Sequence, residues 1–245
     1  MSTSAERENP FAEEEHATNY DAWFDTPLGQ TVDRLEKEMV YHLARPQAGE
    51  TALDVGTGTG HWALDLAQRG LTVTGVDISE AMLAVAQQKS AELGLDERVT
   101  WHQADAHALP FPGSAPQDGE DGRFALVLSV TTLEFVGDPE RALAEMVRVT
   151  APGGRVVVGV LNALSPWAEF YREQAEIHDT PFRHAHFFTP HELVELLHRW
   201  GRPQWGSAVF VHPSGRGLSL ARPVEMLGKT LLQHRGALLV GRVDP

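Results

Sequence analysis

The chain has 245 residues, 42% of them hydrophobic and 22% charged, which is enough for a well-buried globular domain. Its 34 acidic and 20 basic residues give a net charge of −14. That balance argues against a broad nucleic-acid or anionic-membrane footprint, which needs a face rich in Lys and Arg, but it leaves a local basic groove open. The absence of cysteine excludes disulfides, thiol nucleophiles, thiolate metal sites and cysteine-bound iron–sulfur clusters.

The first residues are polar and acidic, so we expect a flexible tail over 1–16 and a single domain over 17–245. The tail lacks the basic start and apolar middle of a signal peptide. No stretch approaches the roughly 18 apolar residues of a membrane span. These features predict a cytoplasmic protein.

A glycine-rich turn follows the first predicted strand. A predicted helix over 31–44 precedes this strand, which spans 51–55. The strand and the turn together read A-L-D-V-G-T-G-T-G over residues 52–60. A helix over 60–69 and a second strand over 72–76 follow. This second strand ends in Asp77, 21 positions after Gly56. A strand, a glycine-rich turn, a helix and a strand ending in an acid predict a nucleoside-binding βαβ unit, whose acid accepts hydrogen bonds from the ribose.

The spacing of the glycines distinguishes between nucleosides. A dinucleotide site has G-x-G-x-x-G, whereas His61 stands here at the third glycine position. The G-x-G-x-G run, with an acid before it and Asp77 after it, resembles the first motif of the class I S-adenosylmethionine (SAM) methyltransferases. A turn without a ligand and an NAD(P) site are the alternatives. The resemblance implies that SAM lies on Asp54, Gly56, Thr57, Gly58 and Gly60, with its ribose on Asp77.

The resemblance continues through the next strands. Residues 99–106 resemble the third strand of the family, and a helix over 80–93 capped by Ser79 precedes it. The strand over 124–130 resembles the fourth, whose end lies under the transferred methyl group. By this resemblance the adenine lies near Asp105 and Ala106, between the apolar side chains of Ile78 and Met82. Ser129 lies beside the transferred methyl group. Tyr20 closes over the methionine end of SAM, with Trp23 as the less favoured alternative.

The remaining pattern completes a sheet. A helix from Asp138-Pro139 to Thr150, a P-G-G turn and a strand over 156–160 come first, and Thr189-Pro190-His191-Glu192 begins a capping-box helix. Two strands near 204–212 and 236–243 flank a helix near 223–232. Alternation of strands and helices predicts an α/β, Rossmann-like, seven-stranded, mostly parallel sheet with helices on both faces. In the family the last strand is antiparallel.

An aromatic-rich segment near 161–188 is the expected substrate cap. Glu134 and His186 are the candidate catalytic bases, with His184 as an alternative to the histidine. A helix-capping or solvent-facing role for Glu134 and a structural role for the histidines stay open, and no metal site is expected. The Pro/Gly/Asp-rich loop over 112–123 is read as a solvated insertion, with a lid as the alternative.

The resemblance covers 20–160 well and 185–243 loosely, and it is closest to small-molecule methyltransferases that include those of quinone biosynthesis. It implies in-line transfer of the SAM methyl group to an oxygen, nitrogen or carbon nucleophile of a small molecule. Such a transfer needs alignment and exclusion of water more than a catalytic triad. The alternatives are an RNA or protein methyltransferase, a SAM-binding protein without activity and an NAD(P) oxidoreductase; the negative net charge makes a nucleic-acid partner unexpected.

Overall fold

A computed structural model of the protein describes residues 21–113, 124–178 and 180–245. The predicted tail, Tyr20 and most of the loop predicted over 112–123 lie outside these residues. The strands within them are β1 (Thr51–Val55), β2 (Thr72–Asp77), β3 (Val99–Gln103), β4 (Phe124–Val130), β5 (Thr150–Leu161), β6 (Gln204–Ala208) and β7 (Leu238–Val243). The α-helices within them are α1 (Pro27–Ala44), α2 (His61–Gln68), α3 (Glu80–Glu92), α4 (Pro139–Arg148), α5 (Pro166–Ile177), α6 (Pro190–His198) and α7 (Ala221–Leu231).

The strands form one seven-stranded sheet in the order β3-β2-β1-β4-β5-β7-β6. The pairs from β3 to β5 are parallel, and β7 is antiparallel to both β5 and β6. The Rossmann-like fold with an antiparallel last strand is therefore confirmed. Because β6 runs in the same direction as β1 and β4, the carboxyl ends of all strands except β7 lie at one edge of the sheet.

The sheet separates two apolar cores. On one face, Leu128 and Val240 pack with α1 and α2 through residues such as Val40 and Leu66. On the other face, the apolar sides of α4 and α6 cover Val127 and Val158. Burial on both faces explains why the strands are almost continuous apolar runs.

Several helix ends follow their sequence signals. Thr189 caps α6 and forms the predicted capping box with Glu192, and Ser79 caps α3. Helix α1 begins at Pro27, earlier than predicted, because the side chain of Thr26 accepts a hydrogen bond from Gly29 N and Pro27 occupies the first turn.

Three further segments depart from the prediction. Strand β5 begins at Thr150 rather than at 156 and includes the predicted P-G-G turn. Helix α5 lies inside the predicted cap, where its N-cap Ser165 accepts from Ala168 N. Strand β6 ends at Ala208 rather than near 212, since Val209 has a positive φ of 67° that ends extended pairing. Across the described part of the chain, no helix combines the length and apolarity that a bilayer span requires.

Candidate active site

The glycine-rich turn lies at the carboxyl edge of the sheet, between β1 and α2. The backbone N–H groups of Gly56 and Thr57 both donate to Val76 O, at 2.8 and 2.9 Å. Gly60 N donates to Thr57 O at 2.9 Å and closes the turn. The backbone of the turn is thus held against the end of β2, next to Asp77.

Two glycines of the turn have different surroundings. A Cβ at Gly56 would lie 2.2 Å from the Thr132 side chain, and its φ is +72°. Gly56 is therefore required by close packing against the residues after β4. A Cβ at Gly58 would meet nothing within 4 Å, so Gly58 faces open space where a ligand can approach the backbone.

Asp77 lies beside this open space. Its Oδ2 accepts from Gly58 N and its Oδ1 from Ser79 N, each at 2.8 Å. Burial raises the pKa of Asp77, and those backbone hydrogen bonds act in the opposite direction. Each carboxylate oxygen keeps acceptor capacity, so a ligand diol can donate to the fixed carboxylate.

Asp54 supports the turn from below. It is 1% exposed, and its Oδ2 accepts from the Thr57 hydroxyl at 2.6 Å. Burial is the main cause that raises its pKa to about 7, and the nearby charge of Asp77 adds to the effect. The structure therefore places the Asp54 and Thr57 side chains, both predicted to hold the cofactor, in contact with each other beneath the backbone of the turn.

Three of the four predicted adenine residues, Ile78, Asp105 and Ala106, follow the ends of β2 and β3. Ile78 is 53% exposed, as an apolar wall for a flat ligand would be, whereas Met82 is buried in α3. The carboxylate of Asp105 accepts from His107 N at 2.8 Å and lies 2.8 Å from the His107 ring Nδ1. Ala106 is partly buried against the core. The structure brings Asp77 and Ile78 to one edge with Asp105, and their contacts with a ligand stay predictions.

The end of β4 has a strained backbone. Thr131 has a φ of 50°, which is unusual for a β-branched residue and is a feature that clusters at functional sites. The hydroxyl of Thr132 lies 3.3 Å from Gly56 O, and the Ser129 hydroxyl donates to Val55 O at 2.9 Å. The predicted site residue Ser129 thus connects β4 to β1. Sequence reasoning missed Thr131 and Thr132, which carry no motif.

The predicted bases Glu134 and His186 are neighbours. The backbone N–H of His186 donates to Glu134 O at 2.8 Å. Glu134 is fully buried, and its Oε1 accepts from Leu161 N at the end of β5. Its Oε2 has no hydrogen-bond partner in the described part of the chain, and burial raises its pKa to about 7. The side chain of His186 is half exposed and lies 3.4 Å from Glu192.

Glu36 on α1 is an acid that sequence reasoning missed. It lies one helical turn from Val32 and from Val40, both of which are buried, so it belongs to the buried side of the helix. Burial raises its pKa to about 8, and the charges of Asp33 and Glu134 add to that rise. Its spacing on the apolar stripe was the available signal.

The segment before α1 covers the glycine-rich turn. The hydroxyl of Thr59 donates to Asp21 Oδ1 at 2.8 Å, and Lys89 Nζ lies 2.7 Å from Asp21 Oδ2. The ring of Phe24 stacks on His61 with centroids 4.1 Å apart. These contacts connect the segment to the turn, to α2 and to α3, so it is placed to exclude water from the site.

The predicted cap packs on the same segment. Trp167 of α5 contacts the ring of Trp23 edge to face at 6.1 Å. Tyr171 stacks on Phe182 at 4.2 Å. The aromatic residues of the cap thus pack largely on one another, and among the residues that the structure describes no cluster of His, Asp and Glu is arranged to hold a metal ion.

Comparison with known proteins identifies the family. A family model described as a methyltransferase domain matches residues 53–158. A demethylmenaquinone methyltransferase of Beutenbergia cavernae is 32% identical over 205 residues, which cover 81% of this chain and 78% of that protein. The chain belongs to the SAM-dependent methyltransferases. A demethylmenaquinone methyltransferase of Thermus thermophilus is 43% identical over 118 residues, which cover 47% of this chain and 49% of that protein. The chain spans about half the length of several curated relatives that it matches.

Solved structures of this methyltransferase fold agree with the topology. A SAM-dependent methyltransferase from Thermotoga maritima superposes with a TM-score of 0.69 at 24% identity, covering 94% of this chain and 96% of that chain. The [4+2]-cyclase SpnF superposes with a TM-score of 0.67 at 19% identity, covering 95% and 94%. These likenesses concern the fold alone, and the second shows that the fold also carries other chemistry.

The residues at the edge of the sheet fit the cofactor of this family. SAM presents a ribose diol, a flat apolar base and a charged amino-acid end. Gly58 would let SAM approach the open backbone, Asp77 would accept hydrogen bonds from the ribose diol, and the exposed side chain of Ile78 would lie against the base.

Proposed function

We propose that this protein transfers the methyl group of SAM to an oxygen, nitrogen or carbon nucleophile of a small molecule. The observation that carries the proposal is the fixed carboxylate of Asp77 beside the open space at Gly58. This pair sits at the carboxyl edge of the sheet, where ligands of open α/β folds bind.

The residues of the chain would act mainly by position. Asp77 would orient the ribose, and the segment containing Asp21 and Phe24 would exclude water above the turn. When bound, SAM supplies a methyl group on a sulfonium, which is a good leaving group. Holding the acceptor in line with it can lower the barrier by roughly 7–11 kcal/mol.

Glu134 is the group best suited to take a proton from an acceptor that must lose one. Its free Oε2 and its pKa near 7 suit a general base at neutral pH. Because the carboxylate is fully buried, it acts only if acceptor binding exposes Oε2. An acceptor that needs no deprotonation would leave Glu134 as a connection between the end of β4 and β5.

A small-molecule acceptor is supported by the net charge of −14, which opposes nucleic-acid binding. It is also supported by the relatives, which include demethylmenaquinone methyltransferases and a phosphatidylethanolamine N-methyltransferase of Cereibacter sphaeroides. These relatives include an N-methyltransferase and methyltransferases of a different acceptor, so they do not determine which atom of the acceptor is methylated.

The test is transfer of label from methyl-labelled SAM to a panel of quinols, phenols and amines. Label that appears in a small-molecule product with the full chain, and not with Asp77→Ala, supports the proposal. Label found only in added RNA or protein would contradict the small-molecule assignment. Tight SAM binding with no transfer to any class would support a binding protein without activity.

A further inference from the structure

Helix α7 contacts the domain with small and charged side chains and exposes its large apolar ones. Ala221, Glu225 and Gly228 are buried and share one side of the helix at helical spacing. Leu227 is 57% and Leu231 73% exposed. A helix that packs on a core has the opposite distribution, with its leucines inside.

Polar contacts fix this orientation. The two carboxylate oxygens of Glu225 accept from Val209 N at 3.1 Å and from Phe210 N at 3.0 Å. A Cβ at Gly228 would lie 2.2 Å from the Phe210 ring, so the helix backbone lies directly on that ring. Turning the leucines inward would break both hydrogen bonds and lose this close contact.

The exposed apolar side lies at the same edge of the sheet as the candidate active site. Helix α7 follows the carboxyl end of β6, and the ring Nε1 of Trp167 donates to Val211 O at 2.8 Å in the intervening segment. Contiguous exposed apolar surface of this kind marks an interaction site. The exposed apolar residues of α7 and its two flanking positions are Leu220, Val224, Met226, Leu227, Leu231 and Leu232. Trp23, Leu164 and Ile177 are also exposed, in segments at this edge.

The charge of this segment is opposite to that of the chain. Residues 209–236 contain four basic residues and one acidic residue, so the segment has a net charge of +3, whereas the net charge of the whole chain is −14. The acid is Glu225, and Lys229 lies 3.3 Å from it. Within the described residues, Arg216, Arg222 and Arg235 form no ion pair, so their charge is available to a partner.

This combination favours an anionic partner over a second copy of the chain. A two-fold contact between two copies would place the same basic segment against itself. An anionic lipid surface attracts the arginines and accepts the leucines, as for amphipathic helices that lie in the membrane interface. The negative charge elsewhere on the chain restricts such contact to this one segment.

We propose that α7 docks the protein on an anionic lipid surface, with Leu220, Val224, Leu227 and Leu231 entering the interface and the arginines beside the headgroups. The docking places the candidate active site close to the membrane. It does not rest on methyl transfer, because it requires neither SAM nor an acceptor.

Co-sedimentation of the full chain with vesicles tests the proposal. We expect binding to equimolar phosphatidylcholine and phosphatidylglycerol, much weaker binding to phosphatidylcholine alone, and loss of binding as salt increases. Leu227→Glu with Leu231→Glu should weaken partitioning by about tenfold or more. Leu93→Glu is the matched control, since Leu93 is 51% exposed at the end of α3, and it should bind as the unaltered chain does.

A second pair of variants tests the charge independently. Arg222→Glu should weaken binding to the anionic vesicles, and Arg202→Glu, an exposed arginine before β6, should not. SAM titration of every variant checks that the domain is folded. Absence of binding to anionic vesicles, or equal losses for Leu93→Glu and the double variant, would overturn the proposal. A dimer in sedimentation velocity that the double variant abolishes, without vesicle binding, would assign the surface to a second copy instead.

Discussion

Asp21 and Thr59 are 38 positions apart, and the Thr59 hydroxyl donates to Asp21 Oδ1 at 2.8 Å. The other carboxylate oxygen of Asp21 pairs with Lys89 on α3. One side chain before α1 therefore connects the glycine-rich turn to α3. These are the two elements between which Asp77 and Ile78 lie, so the position of Asp21 determines how the candidate site is covered.

We predict that Asp21→Ala speeds SAM dissociation, because the covering segment loses an ion pair and a hydrogen bond to the turn. The loss of one charge-assisted hydrogen bond corresponds to about a tenfold faster dissociation. Stopped-flow fluorescence measures the rate, with Trp23 in the same segment as a reporter. Asp25→Ala is the control, since Asp25 is an exposed acid of the same 3₁₀ helix. Equal rates for the two variants would show that the segment does not retain the cofactor.

Asp77→Ala should weaken SAM binding by about 1.5–3 kcal/mol, the size of a charge-assisted hydrogen bond. The neighbouring acid Glu80 is exposed in the first turn of α3, so Glu80→Ala is the matched control. Calorimetry measures both affinities. Unchanged affinity in Asp77→Ala would refute the ribose assignment.

Gly56→Ala and Gly58→Ala should separate folding from cofactor binding. At Gly56 the added Cβ overlaps Thr132 and adopts a positive φ, so we expect a loss of about 2–5 kcal/mol in the free energy of unfolding. At Gly58 the space is open and only the φ of +53° is costly, about 1–2 kcal/mol.

The loss of SAM affinity should be larger in Gly58→Ala than in Gly56→Ala, which is the reverse of the order expected for the loss of stability. Gly58→Ala places a methyl group where SAM would approach the backbone, and it should lose SAM affinity while it stays folded. Denaturant unfolding and calorimetry on both variants give the comparison. A Gly58→Ala protein with unaltered affinity would show that the ligand does not lie on this turn.

The stability of the protein should depend on the ionisation of Glu36. Its pKa rises from 4.5 to about 8 because of burial and the neighbouring acids. Since the unfolded chain releases this proton at lower pH, the unfolded state binds fewer protons between those values, and the stability falls as the pH rises through that window.

Glu36→Gln removes this effect. It should increase the free energy of unfolding by up to about 5 kcal/mol at pH 9 relative to the unaltered chain, and change it much less near pH 5. Glu38→Gln, an exposed acid of the same helix, should have no such pH dependence. A Glu36→Gln increment that is the same at both pH values would show that Glu36 ionises normally.

Local signals predicted much of the fold. The residues of β1 and β4 match their predicted bounds, since each is a short apolar run with a clear end. The capping box at Thr189 fixed the start of α6. Helix α5 was missed although Ser165 and Pro166 are start signals and the helix is amphipathic, because the aromatic density of the segment favoured its interpretation as a substrate cap.

The sequence predicted only those parts of the candidate site whose residues belong to one contiguous motif. The turn and Asp77 lie at the sheet edge, as the motif predicts. The contact of Asp21 with Thr59 and the packing of Thr132 on Gly56 join residues distant in sequence, and no local pattern reports them. The strained φ of Thr131 depends on the path of the chain after β4, which the sequence alone does not define.

The proposed activity depends on SAM binding to the glycine-rich turn. Calorimetric titration of the purified chain with SAM, S-adenosylhomocysteine and NAD⁺ measures this binding. We expect micromolar binding of the first two and none of NAD⁺, because His61 replaces the glycine that a dinucleotide turn requires. Binding of NAD⁺ alone, or of none of the three, would contradict it.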